Sequence, residues 1–401
     1  MCSNKYHYQD LKDMSLTEIH TSIPFIIGYS LLGLFFVIQL FYYLYFYNRI
    51  SITPNKKEET KSYPALSIII CVENQIDILR QNIDSILSQD YPSFEVIVVD
   101  IASDDGTKDY LEYLENNHPN FYFSYTPESA RFISRKKLAQ TIGIKASKHD
   151  WLVFTEIDGK PVSNQWLKKL ASHFNDKETD IVLGYSKYTK EKSWINRYSS
   201  YDNQLLGMRY LSFALAGKPY MGLGKNMAYR KEIFYNDKAF SNQLNLQRGE
   251  DDLFINQNAT NKNTKVEISP ESVIEMDPLS KHKDWKLSKR YHLLSMQRYK
   301  GYKHYIVGFD TTSRLLFYAL NLFLFSSSLI TAQWIIAVVL FLLFITHWVI
   351  RFYITNKAGK ALKEERRYYF SLFLLDFIIP LKVLFIKFKM PKRGRGDIIK
   401  L

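Results

Sequence analysis

Two runs without a single charged side chain constrain this chain more than any other feature. The first, Pro24–Tyr47 (PFIIGYSLLGLFFVIQLFYYLYFY), is long enough to cross the ~30 Å hydrocarbon layer of a membrane as one helix. Its leading flank is acidic and no small-residue cleavage site follows, so a spanning helix fits better than a signal peptide. The second, Leu315–Ile350, is far longer than the ~20 residues one crossing needs, which predicts a helical hairpin. Thr331-Ala332-Gln333 is the natural turn, with Trp334 as an interfacial anchor. A last apolar stretch, Tyr369–Phe388, carries Asp376, Pro380, Lys382 and Lys387, and so suits an interfacial or re-entrant helix.

The distribution of charge sets an expected orientation. The 401 residues carry a net charge of +13, a value that invites a nucleic-acid reading until the charge is located. Residues 1–23 sum to −1, residues 48–313 to +4 and residues 351–401 to +9. By the positive-inside rule the N-terminus is expected outside, with the middle region and the basic tail in the cytoplasm against anionic lipids of an inner membrane. A middle region of only +4, without a basic stripe interleaved with aromatics, disfavours nucleic acid as a partner. Two cysteines, Cys2 and Cys71, cannot build a disulfide framework and form no zinc-spaced cluster, so any chemistry should run on carboxylates and cations.

The middle region is large enough for one α/β domain. Buried-strand runs at Ala65–Val72, Phe94–Asp100, Phe121–Tyr125 and Trp151–Glu156 alternate with helical periods at Asp77–Ser88, Lys108–Asn116 and Ser134–Ser147. Continuous β-branched strands between helices predict a parallel sheet covered on both faces, with ligands at the carboxyl ends of the strands. Neither a GxGxxG nor a GxxxxGK[ST] follows any of these strands.

Four sets of residues could carry chemistry. Glu156 and Asp158 end the fourth strand two residues apart, which in an extended segment points both carboxylates the same way. They could grip Mg²⁺ or Mn²⁺ with a substrate diphosphate, or serve merely as a turn or helix cap. Asp100 ends the second strand, where a carboxylate can accept from a ribose hydroxyl or a base N–H. Glu250-Asp251-Asp252 precede an apolar run; mutual repulsion would raise at least one pKa toward a general-base range, while capping of the following helix is an equally good reading. Trp285 and Lys289 share a helix face with Arg290 nearby, suited to a sugar and a diphosphate or, more plainly, to a membrane-surface helix.

The order of these blocks is more informative than any one of them. SIIICVENQ, VIVVDIASDDGT, SRKKLAQTIGIKASKHDWLVFTEIDGKPVSNQWL, YMGLGKNMAYRK, GEDDLF and WKLSKRYH, over about residues 65–305, resemble membrane-bound family-2 glycosyltransferases of bacteria. The resemblance implies a GT-A Rossmann-like nucleotide-sugar-binding α/β domain and transfer with inversion at the anomeric carbon. It implies donor-nucleotide contacts at Glu73, Asp100 and Lys136, and a divalent metal at Glu156 and Asp158. Asp251 becomes the catalytic base. Glu250, Asp252, Trp285, Lys289 and Arg290 lie toward the acceptor or the diphosphate, and Gly222, Gly224, Lys225 and Asn226 form an acceptor-side loop. The chain departs from the family pattern at Ile101, where a second aspartate is usual, at Glu156, where aspartate is usual, and at Ser288, where glutamine is usual.

The expected organisation is then a short tail (1–23), a first span (24–47), a linker (48–64), the GT-A domain (65–305), spans at 314–332 and 334–352, an interfacial helix (369–388) and a basic tail (389–401). The expected partners are a nucleotide-sugar donor and a lipid-linked or surface-glycan acceptor. A polyprenyl-phosphate glycosyltransferase or a processive synthase is the nearest alternative, and a non-catalytic membrane scaffold with a degenerate GT-A fold is the alternative of another class.

Overall fold

A computed structural model of the protein describes residues 19–53, 62–127, 134–236, 240, 246 and 248–390. Most of the two terminal tails, residues 1–18 and 391–401, lies outside the described residues. The chain divides into two compact units, residues 1–47 with 305–355 and residues 48–304 with 356–401. In chain order the principal helices are α1 (Ile23–Phe41), α2 (Ile76–Leu87), α3 (Thr107–Asn117), α4 (Arg135–Ala146), α5 (Trp194–Leu215), α6 (Asp252–Asn258), α7 (His282–Met296), α8 (Lys303–Ile330), α9 (Trp334–Ala361) and α10 (Phe370–Phe388). The strands are β1 (Leu66–Val72), β2 (Phe94–Asp100), β3 (Phe121–Tyr125), β4 (Trp151–Phe154), β5 (Gly159–Pro161), β6 (Ile181–Leu183), β7 (Ser186–Tyr188), β8 (Met227–Arg230), β9 (Thr264–Val266) and β10 (Ile274–Met276).

The larger unit is built on a seven-stranded sheet of order β3-β2-β1-β4-β8-β6-β9. β1 pairs in parallel with β2 (Val72 opposite Asp100) and with β4 (Ile69 opposite Phe154), so the carboxyl ends of the three strands lie along one edge. β8 runs antiparallel to β4 and so brings the loop before it back to that same edge. The apolar runs that predicted these strands are buried: Ile68, Ile70, Val96, Val98 and Val153 are fully enclosed. α4 packs close on the sheet because it carries Gly143, where a Cβ would come within 2.7 Å of Ile69. A second sheet, β5-β10-β7, lies beside the first.

This unit also holds the chain after α9. Arg366 donates to Asn196 Oδ1 (2.6 Å), and the Tyr185 and Tyr201 hydroxyls each donate to a carboxylate, Glu364 and Asp376, at 2.5 Å. α10 therefore buries Leu372, Leu375, Asp376 and Ile379, while Phe370, Leu374, Leu381, Phe385 and Phe388 stay exposed along its other face.

Among the described residues, three helical stretches are long and apolar enough to cross a membrane: Ile23–Ile52, which α1 opens, α8 and α9. Gln39 of α1 donates to Asp310 O (3.0 Å) and Ser313 Oγ (2.8 Å) of α8, and Tyr47 donates to Asp310 Oδ2 (2.8 Å). The hairpin turns at Thr331-Ala332-Gln333, with Ala332 at φ +55. The helices overrun the expected spans: α8 begins at Lys303 rather than 314, and α9 runs to Ala361 rather than 352. No proline interrupts these polar extensions, and Gly308 and Gly359 are carried within them, so hydrogen-bonded helix continues past the apolar run.

Candidate active site

The site forms where β1, β2 and β4 end and where the loop before β8 and the acidic turn before α6 reach the same edge. Glu156 and Asp158 sit there by a different route from the one predicted. β4 stops at Phe154, and residues 156–159 make a tight turn closed by Gly159 N–H to Glu156 O (3.0 Å). Asn82 Nδ2 on Ile157 O (2.8 Å) and Asp277 N–H on Asp158 O (3.0 Å) hold that turn in place. It is thus a pinned turn rather than strand alternation that brings the two carboxylates together. They converge on one group, the Lys225 ammonium, 3.2 Å from Glu156 Oε2 and 3.2 Å from Asp158 Oδ2.

A second lysine links this pair to the acidic triplet. Lys136, from the first turn of α4, pairs with Glu156 and lies 3.2 Å from Glu250 Oε1. Arg248 lies 3.6 Å from the same Glu250 oxygen. Burial favours the neutral forms of these groups, but their mutual attraction is stronger. Glu156 is held well below the usual carboxylate range by Lys136, Lys225 and Arg248, and Glu250 is lowered by Lys136 and Arg248. Lys136 and Lys225 are raised in turn by the carboxylates they face.

Asp251 behaves oppositely. Burial, then the charges of Asp252 and Glu250, push its carboxyl up to about 7, against the opposing pull of Lys136 and the Gly224 N–H. Its Oδ2 accepts from that N–H at 2.8 Å, and its Oδ1 accepts from Asp252 N–H at 2.7 Å, so it also caps α6. The raised carboxyl and the helix cap belong to the same side chain. Asp252 is turned the other way: its Oδ2 accepts from Ser295 and from Tyr299 (2.8 Å), and His292 Nδ1 lies 3.2 Å away. The three adjacent carboxylates thereby take three environments.

The remaining predicted residues have local partners. Asp100 is buried and accepts from Ser103 Oγ (2.5 Å), in the loop after β2. Glu73 accepts from Arg135 Nη1 (2.9 Å), whose Nη2 donates to Ile101 O (2.6 Å), so Arg135 ties the ends of β1 and β2. Ile101 is buried with Ile97, Val99 and Ala139, which places the departure from aspartate in the apolar layer. Trp285 Nε1 and Lys289 Nζ both reach Asp202 Oδ2 of α5, at 2.8 and 2.7 Å. Trp285 is only 5% exposed, so these two brace α7 on α5 rather than standing open to a ligand. Arg290 is half-buried on the same helix, and Ser288 is exposed. Asn226 is buried, donating to Tyr185 O (2.7 Å) and Ser272 O (2.8 Å). It anchors the loop that carries Lys225.

Sequence reasoning missed Lys225 as a partner of the metal motif, Arg248 as a partner of Glu250, and Lys137. The Lys137 ammonium is buried beside Lys136 and donates to Leu246 O (2.9 Å) and Arg248 O (3.1 Å), steadying the approach to the triplet. The flanking Gly222-Leu223-Gly224 was the available signal for Lys225, since it marks a loop that passes close to other backbone.

Whether the residues fit a divalent metal can be judged from the acceptors. Among the described residues no three His, Cys, Asp or Glu side chains converge as a metal cage. Asp158 Oδ1, however, is buried with no hydrogen-bond partner, and it stands with Glu156 as a hard oxygen pair. Such a half-site suits Mg²⁺ or Mn²⁺ completed by substrate phosphate oxygens and water.

Residues 67–237 match the model described as Glycosyl transferase family 2. The glycosyltransferase AglE of Haloferax volcanii is 29% identical over 148 residues, 36% of this chain and 47% of AglE. TuaG of Bacillus subtilis, a glycosyltransferase named for teichuronic acid biosynthesis, is 24% identical over 135 residues, 34% of this chain and 52% of TuaG. The chain spans about half the length of these curated relatives. Among solved structures, the mannosyltransferase PcManGT of Pyrobaculum calidifontis, in complex with GDP-Man and Mn²⁺, superposes with a TM-score of 0.56 at 18% identity, over 85% of this chain and 99% of that one. The likeness in structure speaks for a GT-A-type α/β fold, and the region that matches glycosyl transferase family 2, residues 67–237, includes β1, β2, β4 and the loop that carries Lys225.

Proposed function

We propose that the chain transfers a sugar, with inversion, from a nucleotide-diphosphate donor to a hydroxyl of a membrane-associated glycan or lipid-linked acceptor. The observation that carries the reading is the Asp251 carboxylate. It is buried, raised to about 7, oriented by the Gly224 N–H, and one residue from a glutamate bridged by Lys136 to Glu156. A group titrating near the working pH and fixed in place is suited to take the proton from an attacking hydroxyl. Glu73 and Asp100 at the strand ends are the proposed contacts to the nucleoside. A divalent metal, when bound at Glu156 and Asp158, supplies a Lewis acid for the diphosphate.

The cations of the site have the complementary role. Lys136, Lys225 and Arg248 surround the carboxylates and are placed to meet negative charge on a leaving diphosphate. This shifts to them the role that the sequence gave to Lys289, which Asp202 holds. Arg290 remains a candidate at the acceptor side. The three spanning-length helices and the exposed apolar face of α10 support an acceptor at a membrane surface. The charge distribution supports the cytoplasmic face.

The test is a screen of nucleotide-sugars with the purified full chain, reading Mn²⁺-dependent release of nucleoside diphosphate, with Asp251→Asn beside it. The expected result is turnover with one donor and its loss, by at least about a hundredfold, in the variant. Full turnover by Asp251→Asn would remove the base assignment, and turnover with no donor would count against the reading as a whole.

A further inference from the structure

Lys225 stands where a metal ion would be expected to stand. Its ammonium is 3.2 Å from Glu156 Oε2 and 3.2 Å from Asp158 Oδ2, between the two carboxylates that would ligate the ion. A divalent cation cannot share that space with an ammonium, because like charges at such separations repel strongly in a partly dehydrated site. Counting the ion-paired side chains, Glu156, Asp158 and Glu250 face Lys136, Lys225 and Arg248, so these six groups balance one another. A metal ion arriving alone would leave two positive charges in excess. An ion arriving with a nucleoside diphosphate brings its own compensating negative charge.

Accepting the proposed assignment of Glu156 and Asp158 as metal ligands, we propose that Lys225 is a resident counter-cation that makes the site take metal only together with a diphosphate. The backbone at Lys225 is fixed on both sides. Gly224 N–H is held by Asp251, Lys225 O accepts from Thr155 (3.2 Å), and Asn226 is anchored in the core. Only the four-carbon side chain is therefore left to move. Lys136 keeps Glu250, which is not a proposed metal ligand, whereas both carboxylates that hold Lys225 are the proposed ligands. Lys225 is the cation that yields its place, and a displaced ammonium on that short stem remains within reach of the incoming phosphates. The arrangement excludes free divalent ions from the acidic turn and ties metal entry to substrate entry.

The experiment measures Mn²⁺ binding to the purified full chain in detergent, by electron paramagnetic resonance of free Mn²⁺ and by calorimetry, without nucleotide and then with UDP or GDP. The native chain should bind Mn²⁺ alone weakly and gain affinity when a nucleoside diphosphate is present. Lys225→Met should bind Mn²⁺ alone at least about tenfold more tightly than the native chain, because site charge sets affinity for hard cations. Lys225→Arg, which keeps the charge, should remain weak, and adding Asp158→Asn to Lys225→Met should abolish the gain. Equal Mn²⁺ affinity in Lys225→Met and the native chain would overturn the proposal, as would an equal gain in Lys225→Arg. Lys225→Gln repeats the neutralisation with a polar side chain should the methionine variant fail to fold. Because the readout is metal binding, failure here is distinct from failure of sugar transfer: either can occur without the other.

Discussion

At Asp251 the requirements of folding and of chemistry oppose each other. Burial beside Asp252 and Glu250 pushes its carboxyl up to about 7, above the ordinary carboxylate value near 4. A group whose pKa is raised on folding contributes stability below its unfolded value and loses that contribution as pH rises through the folded value. The ionised base is therefore the less stable form of the site, and between pH 5 and pH 8 its contribution falls. Asp251→Asn should accordingly melt at a higher temperature than the native chain at pH 8, with the difference shrinking at pH 5, in parallel thermal scans. Activity should run the other way, kcat/KM rising as pH increases through about 7 because the deprotonated form accepts the proton. A flat profile across that range would remove Asp251 from the base role. Asp158, Glu156 and Asp251 could be found in the sequence because carboxylates at strand ends or before a helix stand out locally. Lys225 could not be paired with Asp158, 67 positions earlier, until the antiparallel β8 carried its loop back to the edge of β4.

Helix α7 illustrates how an element is braced beside a site. One carboxylate, Asp202 of α5, takes the Trp285 indole N–H and the Lys289 ammonium together, and Asp252 takes Ser295 and Tyr299 further along. Removing Asp202 leaves an indole N–H and a mostly buried ammonium without their acceptor. Asp202→Ala should thus cost about 2–4 kcal/mol, read as a lower denaturant midpoint with an unchanged slope. Tyr299→Phe, which deletes one bond to Asp252, should cost about 1 kcal/mol. The long elements were legible because each carries its own pattern: unbroken β-branched runs in β1 and β2, helical periods in α2 and α3. β5, β6, β7, β9 and β10 span three residues each, too short for alternation to register, and they exist only through their partners. The segment from Glu156 to Asp158 reads as extended for a related reason, since the apolar run of β4 passes into it without a glycine or proline before Gly159.

At the scale of the whole chain, orientation is the property that charge distribution predicts and two native cysteines can report. The uneven placement of lysine and arginine, with +9 in residues 351–401 and −1 in residues 1–23, predicts Cys2 outside the cell and the sheet inside it. Cys71 lies within β1, where burial pushes its thiol up to about 12, so little thiolate is available to react at neutral pH. A membrane-impermeant maleimide applied to intact cells should therefore label the native chain once, and Cys2→Ser should remove that label. Cys71→Ser should leave it unchanged. Labelling of Cys2 that appears only after the cells are opened would reverse the orientation. The sugar-nucleotide site would then face a compartment where its donor is not made, so this measurement bears on the function as well as on the fold.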